Sequence, residues 1–423
     1  MMLAAILAAS LTGCGTNQVS ENTAAKNSSS VSISAETTAD SVVNTDTAVS
    51  DEIAVMELSQ AVSSDAESSE LFTSRDLAQT ADTSDAQYIT VSDGQTIDIT
   101  AEGVYVISGT AKDCTIRVNA DENAKVQLVL DGVSITNSDS PAIYVVSADK
   151  VFVTTTGSEN TLTVSGQFTA DGDTNTDAVI FSKDDLVLNG TGTLNIVSNN
   201  GNGITSKDDL KITGGTYNVQ SALDAIEAND SISISDGVFA VNSNKDGLHC
   251  ENDEAEGTIT ITGGTFEINA KSDGIQATAL LQIDGGSMNI TASEGLEATY
   301  VLINDGTVNI TASDDGINAS AKTNVYDTVI EINGGDLTVA VGQGDTDAID
   351  SNGSIYVNGG TINVTAQMSS FDYDKTAEFN GGTIIINGQE VSEIPQSMMG
   401  GGMRGGMGGN MQGGFGGRQR HSF

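Results

Sequence analysis

A three-residue step recurs along the middle of the chain: an acidic residue or asparagine, then glycine or alanine, then an aliphatic residue. The first residue of each step, here called the anchor, is found at Asp177, Asn202, Asp224, Asp246, Asp273, Glu294, Asp315 and Asp347. Successive anchors are 25, 22, 22, 27, 21, 21 and 32 residues apart, and the longest interval contains an insertion, AKTNVYDT. A repeat of about 20–50 residues is typical of solenoids. The spacing therefore predicts one coil of chain per repeat.

Each repeat also carries two short runs in which every second residue is apolar, such as Ile232/Ile234 followed by Phe239/Val241. Alternation with period two is typical of strands that bury one face. With the strand that follows the anchor, this makes three strands per coil, separated by glycine-rich corners. The sequence therefore predicts an all-β, single-stranded parallel β-helix with three faces and an N-terminal β cap. The winding is predicted to be right-handed, like that of parallel crossovers in general.

The aromatic residues divide according to this pattern. Tyr217, Phe239 and Phe266 fall on inward positions and are predicted to stack in the core. The aromatic residues left to contact a ligand are Tyr144, Tyr300, Tyr326, Phe371 and Tyr373.

Composition supports an all-β chain and restricts its partners. The 423 residues include 47 Gly and 2 Pro, and 58 acidic against 16 basic side chains give a formal charge of -42. Such a charge repels polyanions, so nucleic-acid binding is excluded. Low-periodicity segments flank the repeat, which predicts a disordered Ser/Thr/Asp-rich linker at 14–86, a β-helix at 87–390 and a disordered Gly/Met-rich tail at 391–423.

The N-terminus is apolar over a stretch too short to span a bilayer, which is typical of a signal peptide at residues 1–13. Leu11-Thr12-Gly13-Cys14 resembles a bacterial lipobox, although no Lys or Arg precedes the apolar run. We therefore expect an exported, cell-surface lipoprotein that is anchored through lipidated Cys14 to the outer face of the cytoplasmic membrane. The alternative is an unstructured N-terminus with a chance cysteine.

Stacked coils place the anchors in one column at roughly 4.8 Å spacing, where like charges repel by about 1 kcal/mol per pair even in water. A second polar column follows three residues after each anchor. Two explanations stay open. The acids can accept backbone N–H groups in turns whose glycines allow positive φ, or they can bind Ca²⁺. The predicted Ca²⁺ ligands are Asp224, Glu227, Asp246, Asp273, Glu294, Glu297, Asp314, Asp315, Asp347 and Asp350.

Four stretches of the chain resemble a known family. They are GVYVISGT (103–110), AKVQLVLDGVSITNSDSPAIYV (124–145), AVIFSKDDLVLNGTGTL (178–194) and GITSKDDLKITGGTYNV (203–219). They are similar to the carbohydrate-binding, pectate-lyase-like parallel β-helix proteins that clostridial bacteria export. This resemblance implies calcium binding and non-catalytic binding of cellulose-type or acidic plant polysaccharides.

With a polysaccharide as the implied partner, Asn289 and Asn309 offer outward amides for sugar hydroxyls, and Tyr300 and Tyr326 offer exposed rings. These four are the predicted carbohydrate-binding residues of a monomeric protein, and no catalytic residue is predicted. Two alternatives remain. One is a pectate-lyase-like enzyme with Lys245 or Lys271 as the base, and the other is a structural surface spacer or adhesin.

Overall fold

The computed structural model describes residues 71–252, 257–344 and 346–395. All the secondary-structure elements in these ranges are β-strands. Among these residues there is no helix that is long and apolar enough to cross a bilayer. The predicted signal peptide, Cys14 and most of the predicted linker and tail lie outside the described residues.

The N-terminal part of the solenoid contains its longest strands. They are β1 (Gln87–Thr90), β2 (Thr96–Ile99), β3 (Gly103–Lys112), β4 (Thr115–Asn119), β5 (Lys125–Asn137), β6 (Ile143–Ser147), β7 (Lys150–Thr155), β8 (Glu159–Val164), β9 (Ala178–Ser182), β10 (Asp185–Gly190), β11 (Thr193–Ser198) and β12 (Asn202–Ser206). Strand β5 pairs with both β7 and β8, so it spans two faces of the solenoid.

The middle of the solenoid consists of short strands that repeat in threes. They are β13 (Leu210–Ile212), β14 (Thr216–Ser221), β15 (Ile226–Ala228), β16 (Ser231–Ile234), β17 (Val238–Ser243), β18 (Leu248–Cys250), β19 (Thr258–Ile261), β20 (Thr265–Asn269), β21 (Asp273–Ala277), β22 (Leu280–Ile283), β23 (Ser287–Ala292) and β24 (Glu294–Ala298).

The C-terminal part continues the same repeat and ends in a reversal of the chain. Its strands are β25 (Tyr300–Ile303), β26 (Thr307–Ala312), β27 (Ile317–Ala319), β28 (Val329–Ile332), β29 (Asp336–Val341), β30 (Asp347–Ser351), β31 (Ser354–Val357), β32 (Thr361–Thr365), β33 (Ser369–Tyr373), β34 (Ala377–Phe379), β35 (Thr383–Ile386) and β36 (Gln389–Val391). The last pair, β35 and β36, is antiparallel.

The strands stack into three ladders. The first ladder carries the anchor steps and has the order β2-β4-β6-β9-β12-β15-β18-β21-β24-β27-β30-β33. The second ladder continues from β7 through β10, β13, β16, β19, β22, β25, β28 and β31 to β34. The third runs from β8 through β11, β14, β17, β20, β23, β26, β29 and β32 to β35. These pairings are parallel, which confirms the predicted β-solenoid.

The core lies between the three ladders and is built from the inward residues of each strand. Tyr217, Phe239 and Phe266 are 1% exposed, and their rings stack along the third ladder with centroids 5.4 and 4.5 Å apart. The prediction that these rings are core residues is confirmed. Burying such rings removes large apolar areas from water, so this column stabilises the coil stack.

Two of the aromatic residues predicted to be available to a ligand are buried, and for them the prediction is wrong. Phe371 is 1% exposed because it takes the inward aliphatic position of the last coil of the first ladder, next to Ile349. Tyr144 is 5% exposed. Its ring packs edge-on against Phe181 at 5.9 Å, and its hydroxyl donates a 3.0 Å hydrogen bond to Asp171.

The glycines that follow the anchors do not have the positive φ angles that the turn hypothesis predicts. Positive φ occurs at the corners between the second and third ladders, for example 104° at Gly264. After the anchors the constraint is contact between coils. A Cβ atom on Gly274 would lie 2.6 Å from the carbonyl oxygen of Gly295, and one on Gly295 would lie 2.3 Å from that of Gly316. These positions require a small residue because the backbones of neighbouring coils approach closely.

Residues 71–80, which the sequence places in the linker, contact the outer side of the second ladder. The side-chain amide of Gln79 donates to the carbonyl oxygen of Thr213 at 2.9 Å. Its carbonyl oxygen accepts from the N–H of Gly190, also at 2.9 Å. Individual side chains, and not a strand ladder, hold this segment against the solenoid. Its sequence therefore lacks the period-two apolar pattern of a strand, and that pattern could not predict the contact.

Candidate functional site

The outer side of the first ladder is a continuous polar surface, here called the acid face. It combines the anchors with an outward column, three residues further along, whose members pair coil to coil as predicted. The outward column contains Thr205, Glu227, His249, Gln276, Glu297, Asn318, Asp350 and Asp372.

One oxygen of several anchor carboxylates has a structural role. The backbone N–H of Asp246 donates to Oδ1 of Asp224 at 3.0 Å, and that of Asp273 donates to Oδ1 of Asp246 at 3.0 Å. Asp347 donates in the same way to Asp315 at 2.8 Å. The anchors therefore accept N–H groups, as the turn hypothesis expects, but from the next coil and not from their own turn. How the negative charge of each anchor is balanced therefore depends on the groups that contact its second carboxylate oxygen.

In the N-terminal half of the acid face, cationic side chains balance the acids. Nζ of Lys245 lies 2.8 Å from Oδ2 of Asp224 and 3.6 Å from Oδ2 of Asp246, and Nδ1 of His249 lies 3.2 Å from Oδ2 of Asp224. Burial opposes ionisation of Asp224, but the hydrogen bonds from His249 and Lys245 outweigh it and lower its pKa to about 2. Asp224 therefore has its counter-charges from the protein. Asp246 shares them less closely, and burial together with the charge of Asp224 still raises its pKa.

Glu227, another predicted calcium ligand, is also occupied by protein donors. It accepts hydrogen bonds from the side chains of Asn202 at 2.6 Å, Thr205 at 2.8 Å and Lys207 at 3.3 Å. The structure therefore places Glu227 in a saturated polar cluster, where a cation would have to displace these donors.

The next coils carry a group of acids with less compensation. Ligand oxygens of Asp273, Glu294 and Glu297 lie within 4.8 Å of one another. Glu297 is the best compensated of the three. Nζ of Lys322 lies 2.8 Å from its Oε2, which also accepts from Nε2 of Gln276 at 2.6 Å, and its Oε1 accepts from the hydroxyl of Ser320 at 3.0 Å. Burial, followed by the charges of Asp246, Glu294 and Glu297, raises the pKa of Asp273 to about 7. Ionising Asp273 in the folded protein therefore costs free energy.

The excess of acid continues towards the C-terminal end. Burial raises the pKa of Asp350 to about 7, with further contributions from the charges of Asp315, Asp347, Asp372 and Asp374. Sequence reasoning missed Asp372 and Asp374 because the last coil lacks the acid-glycine step. The outward column itself was the available signal, since Asp372 follows Asp350 after one more repeat of 22 residues.

Asn318 tests whether this part of the acid face fits a hard cation. Its Oδ1 is buried and, within the described residues, has no hydrogen-bond partner. Its Nδ2 donates to Oε2 of Glu294 at 2.9 Å, which places the amide beside the acid group. An unpaired buried carbonyl oxygen is costly unless it has a partner. Carboxylate and amide oxygens are the ligands that Ca²⁺ takes, so the donor set fits calcium.

The remaining predicted site residues lie elsewhere. Asp314 is exposed beside the anchor column and does not belong to the group formed by Asp273, Glu294 and Glu297. Asn289 and Asn309 lie on the outer side of the third ladder, where Nδ2 of Asn309 donates to Oδ1 of Asn289 at 3.0 Å.

Tyr300 and Tyr326 come together on the second ladder, with ring centroids 5.8 Å apart. The structure therefore joins the four predicted carbohydrate-binding residues in two pairs on different faces.

We expect Asp273→Asn to stabilise the fold at pH 8 in chelator by on the order of 2 kcal/mol, because it removes a poorly compensated buried charge. The folded protein keeps a proton on Asp273 up to about pH 7, whereas the ordinary pKa is 3.8. The wild type therefore loses stability as the pH rises through this window, and the advantage of the variant disappears near pH 4. Thermal unfolding at pH 4, 6 and 8 measures the effect.

Asp224→Asn is the matched control from the same column. Its carboxylate has a pKa lowered to about 2, so its contribution to stability is present above pH 4. Removing its charge takes the nearest carboxylate away from Lys245 and His249 and is expected to destabilise the fold at pH 8. Shifts of the same sign for Asp224→Asn and Asp273→Asn would contradict the division of the acid face into two halves.

Comparison with known proteins gives the family. A family model described as carbohydrate-binding domain-containing protein matches residues 93–348, with a second match over 300–410. A carbohydrate-binding domain-containing protein of Acetivibrio thermocellus is 41% identical over 128 residues, or 30% of this chain and 45% of that relative, so the match spans less than half of the relative's length.

A solved structure described as a polysaccharide lyase-like protein from C. thermocellum, a gadolinium derivative, shares 33% sequence identity with this chain. The match covers 53% of this chain and 96% of that one, with a TM-score of 0.47. The family match alone spans more than half of the present sequence. The chain therefore belongs to the family of carbohydrate-binding domain-containing proteins.

Proposed function

We propose that this protein binds an acidic polysaccharide through calcium ions on the C-terminal half of the acid face and does not cleave it. The observation that carries the proposal is the run of acids from Asp273 to Asp374, in which burial and neighbouring carboxylates raise the pKa of Asp273 and of Asp350 to about 7. Membership of a carbohydrate-binding family supports a glycan as the partner.

The electrostatics explain why a cation is needed. A chain of charge -42 repels a polyuronate unless a cation bridges carboxylates on both sides. Calcium takes six to eight oxygen ligands in flexible geometry, so it can hold protein and sugar oxygens at once. The ligands we propose are Asp273, Glu294, Glu297 and the buried Oδ1 of Asn318, which accepts no hydrogen bond from the residues that the structure describes, with a second group around Asp350.

The N-terminal half of the acid face contributes less to this proposal. Asp224 is balanced by Lys245 and His249, Asp246 lies 3.6 Å from Lys245, and Glu227 accepts three protein hydrogen bonds. A calcium ion there would compete with groups that the fold already provides.

The state of Lys245 supports the non-catalytic part of the proposal. A lyase needs a neutral base to remove a proton from the uronide. Burial disfavours the ammonium form of Lys245, but its hydrogen bond to Asp224 and the charges around it outweigh this and raise its pKa. Lys245 is therefore protonated and cannot accept the proton. If the protein were a lyase, Lys271 would be the remaining candidate for the base.

Retention on immobilised polygalacturonate tests binding. We expect the protein to be retained in millimolar calcium and released by EDTA, because the bridging ion is removed. Asp273→Asn combined with Glu297→Gln should weaken retention about tenfold or more, which corresponds to the loss of about 1.4 kcal/mol. Asp336→Asn combined with Glu378→Gln removes the same two charges from exposed positions on the third and second ladders and should leave retention unchanged. Equal retention in calcium and EDTA would contradict the calcium bridge, and no retention in either would favour a structural spacer.

The same sample tests cleavage. Soluble polygalacturonate with calcium at pH 8 should show no growth of ultraviolet absorbance from unsaturated uronide ends. Steady growth that is lost in Lys271→Ala would identify a lyase and overturn the non-catalytic assignment.

We also propose that the protein is an exported lipoprotein anchored through Cys14, on the strength of the Leu11-Thr12-Gly13-Cys14 motif. The anchor would hold the glycan-binding solenoid at the cell surface. Wild-type protein should fractionate with membranes, and Cys14→Ala should not. A Cys14→Ala variant that stays in the membrane fraction with unchanged mobility would refute the anchor.

A further inference from the structure

The insertion AKTNVYDT, between β27 and β28, forms a wall on the outer side of the solenoid. Backbone N–H groups of Lys322 and Thr323 both donate to Oγ1 of Thr299 at 3.1 Å. At its other end, the ring of Tyr326 packs edge-on against Tyr300, with centroids 5.8 Å apart. The insertion is thus fixed to the coil below it by specific contacts.

This wall presents apolar side chains to solvent. Val325 is 54% exposed and Tyr326 is 38% exposed, although both belong to a well-anchored segment. Exposed apolar side chains grouped at one place on a soluble protein often mark a binding site. Here they adjoin a cavity.

The cavity has a volume of about 420 Å³ and lies between the insertion and the second ladder. That volume is within the roughly 300–1,000 Å³ of small-molecule sites. Its lining combines one ring, two carboxylates, two hydroxyls and small apolar groups, from Asp209, Asp230, Ser231, Thr258, Ala279, Val325 and Tyr326.

The two carboxylates of the cavity are held in place and keep accepting capacity. Oδ1 of Asp209 accepts a 2.6 Å hydrogen bond from the hydroxyl of Ser231, and Oδ1 of Asp230 accepts a 2.8 Å bond from Nδ2 of Asn252. In the described part of the chain, the hydrogen bonds of these carboxylates use Oδ1 alone, so each Oδ2 is available to a hydroxyl donor. Hydrogen bonds from hydroxyl groups to ionised carboxylates are among the stronger ones in proteins.

We propose that this cavity is a second carbohydrate site, which binds one neutral pyranose ring without calcium. This proposal rests on the proposed function only in taking a polysaccharide as the ligand. The cavity lies on another face of the solenoid and needs no metal. The C–H face of a pyranose is weakly positive and suits the negative face of the Tyr326 ring. Hydroxyls on the ring edge suit Asp209 and Asp230.

Charge determines which sugars the cavity accepts. A uronate would bring a carboxylate next to Asp209 and Asp230, and like charges at such distances repel. The cavity therefore selects against the acidic sugars that the acid face is proposed to bind through calcium. The two sites would recognise different units of a mixed polysaccharide.

Calorimetric titration of the full chain in EDTA tests this site alone, because EDTA removes the calcium that the acid face is proposed to need. The probes are neutral hexasaccharides of glucose, mannose, galactose and xylose, together with the hexasaccharide of galacturonate. We expect at least one neutral probe to bind and the galacturonate probe not to. Tyr326→Ala should weaken that binding about tenfold, and Tyr326→Phe should retain it. Tyr88→Ala is the matched control, because Tyr88 is 73% exposed on β1 and lines no part of the cavity.

Asp230→Asn tests the polar side of the cavity and should also weaken binding, which keeps the test decisive even if Tyr326→Ala unfolds. The proposal is overturned if no neutral hexasaccharide binds, if both Tyr326→Ala and Asp230→Asn bind like the wild type, or if the galacturonate probe binds as tightly in EDTA. Failure of calcium-dependent polygalacturonate retention with intact neutral binding would refute the proposed function alone.

Discussion

Stacking of parallel coils at roughly 4.8 Å is the constraint on which the whole molecule depends, because each side chain meets the same position of the next coil. Columns of rings satisfy this constraint by packing, as Phe239 and Phe266 do at 4.5 Å. Columns of amides satisfy it by hydrogen bonding, as when Nδ2 of Asn333 donates to Oδ1 of Asn304 at 2.8 Å. An ionised carboxylate only accepts hydrogen bonds, so a column of acids cannot satisfy itself.

In the N-terminal half of the acid face, cationic side chains offset the repulsion between stacked carboxylates. In the C-terminal half, much of this repulsion remains. Lys245 and His249 supply positive charge beside Asp224, whose pKa falls to about 2. Beyond them, Asp273 and Asp350 have pKa values raised to about 7 by burial and by neighbouring acids. Such costs are typical of sites that a ligand completes, since strongly perturbed groups cluster at functional sites. The central proposal is that calcium completes this one.

Much of the fold could be predicted from the sequence, because inward apolar residues and coil length are local patterns that repeat. The acid columns followed from the same register. The partners of the acids could not be predicted in this way. Lys322 reaches Glu297 from an insertion that follows no repeat, and Asp374 lies on a coil without the acid-glycine step. The reason for the glycine at position 295 was also missed, because it is a contact with the next coil and not a property of its own turn.

Calcium-anomalous diffraction from crystals grown with calcium tests the central claim most directly. The account predicts anomalous peaks on the acid face, coordinated by Asp273, Glu294 and Glu297 with Oδ1 of Asn318, and further peaks beside Asp350. It also predicts no peak between Lys245 and Asp224. Well-ordered crystals in millimolar calcium with no anomalous peak on the acid face would contradict it.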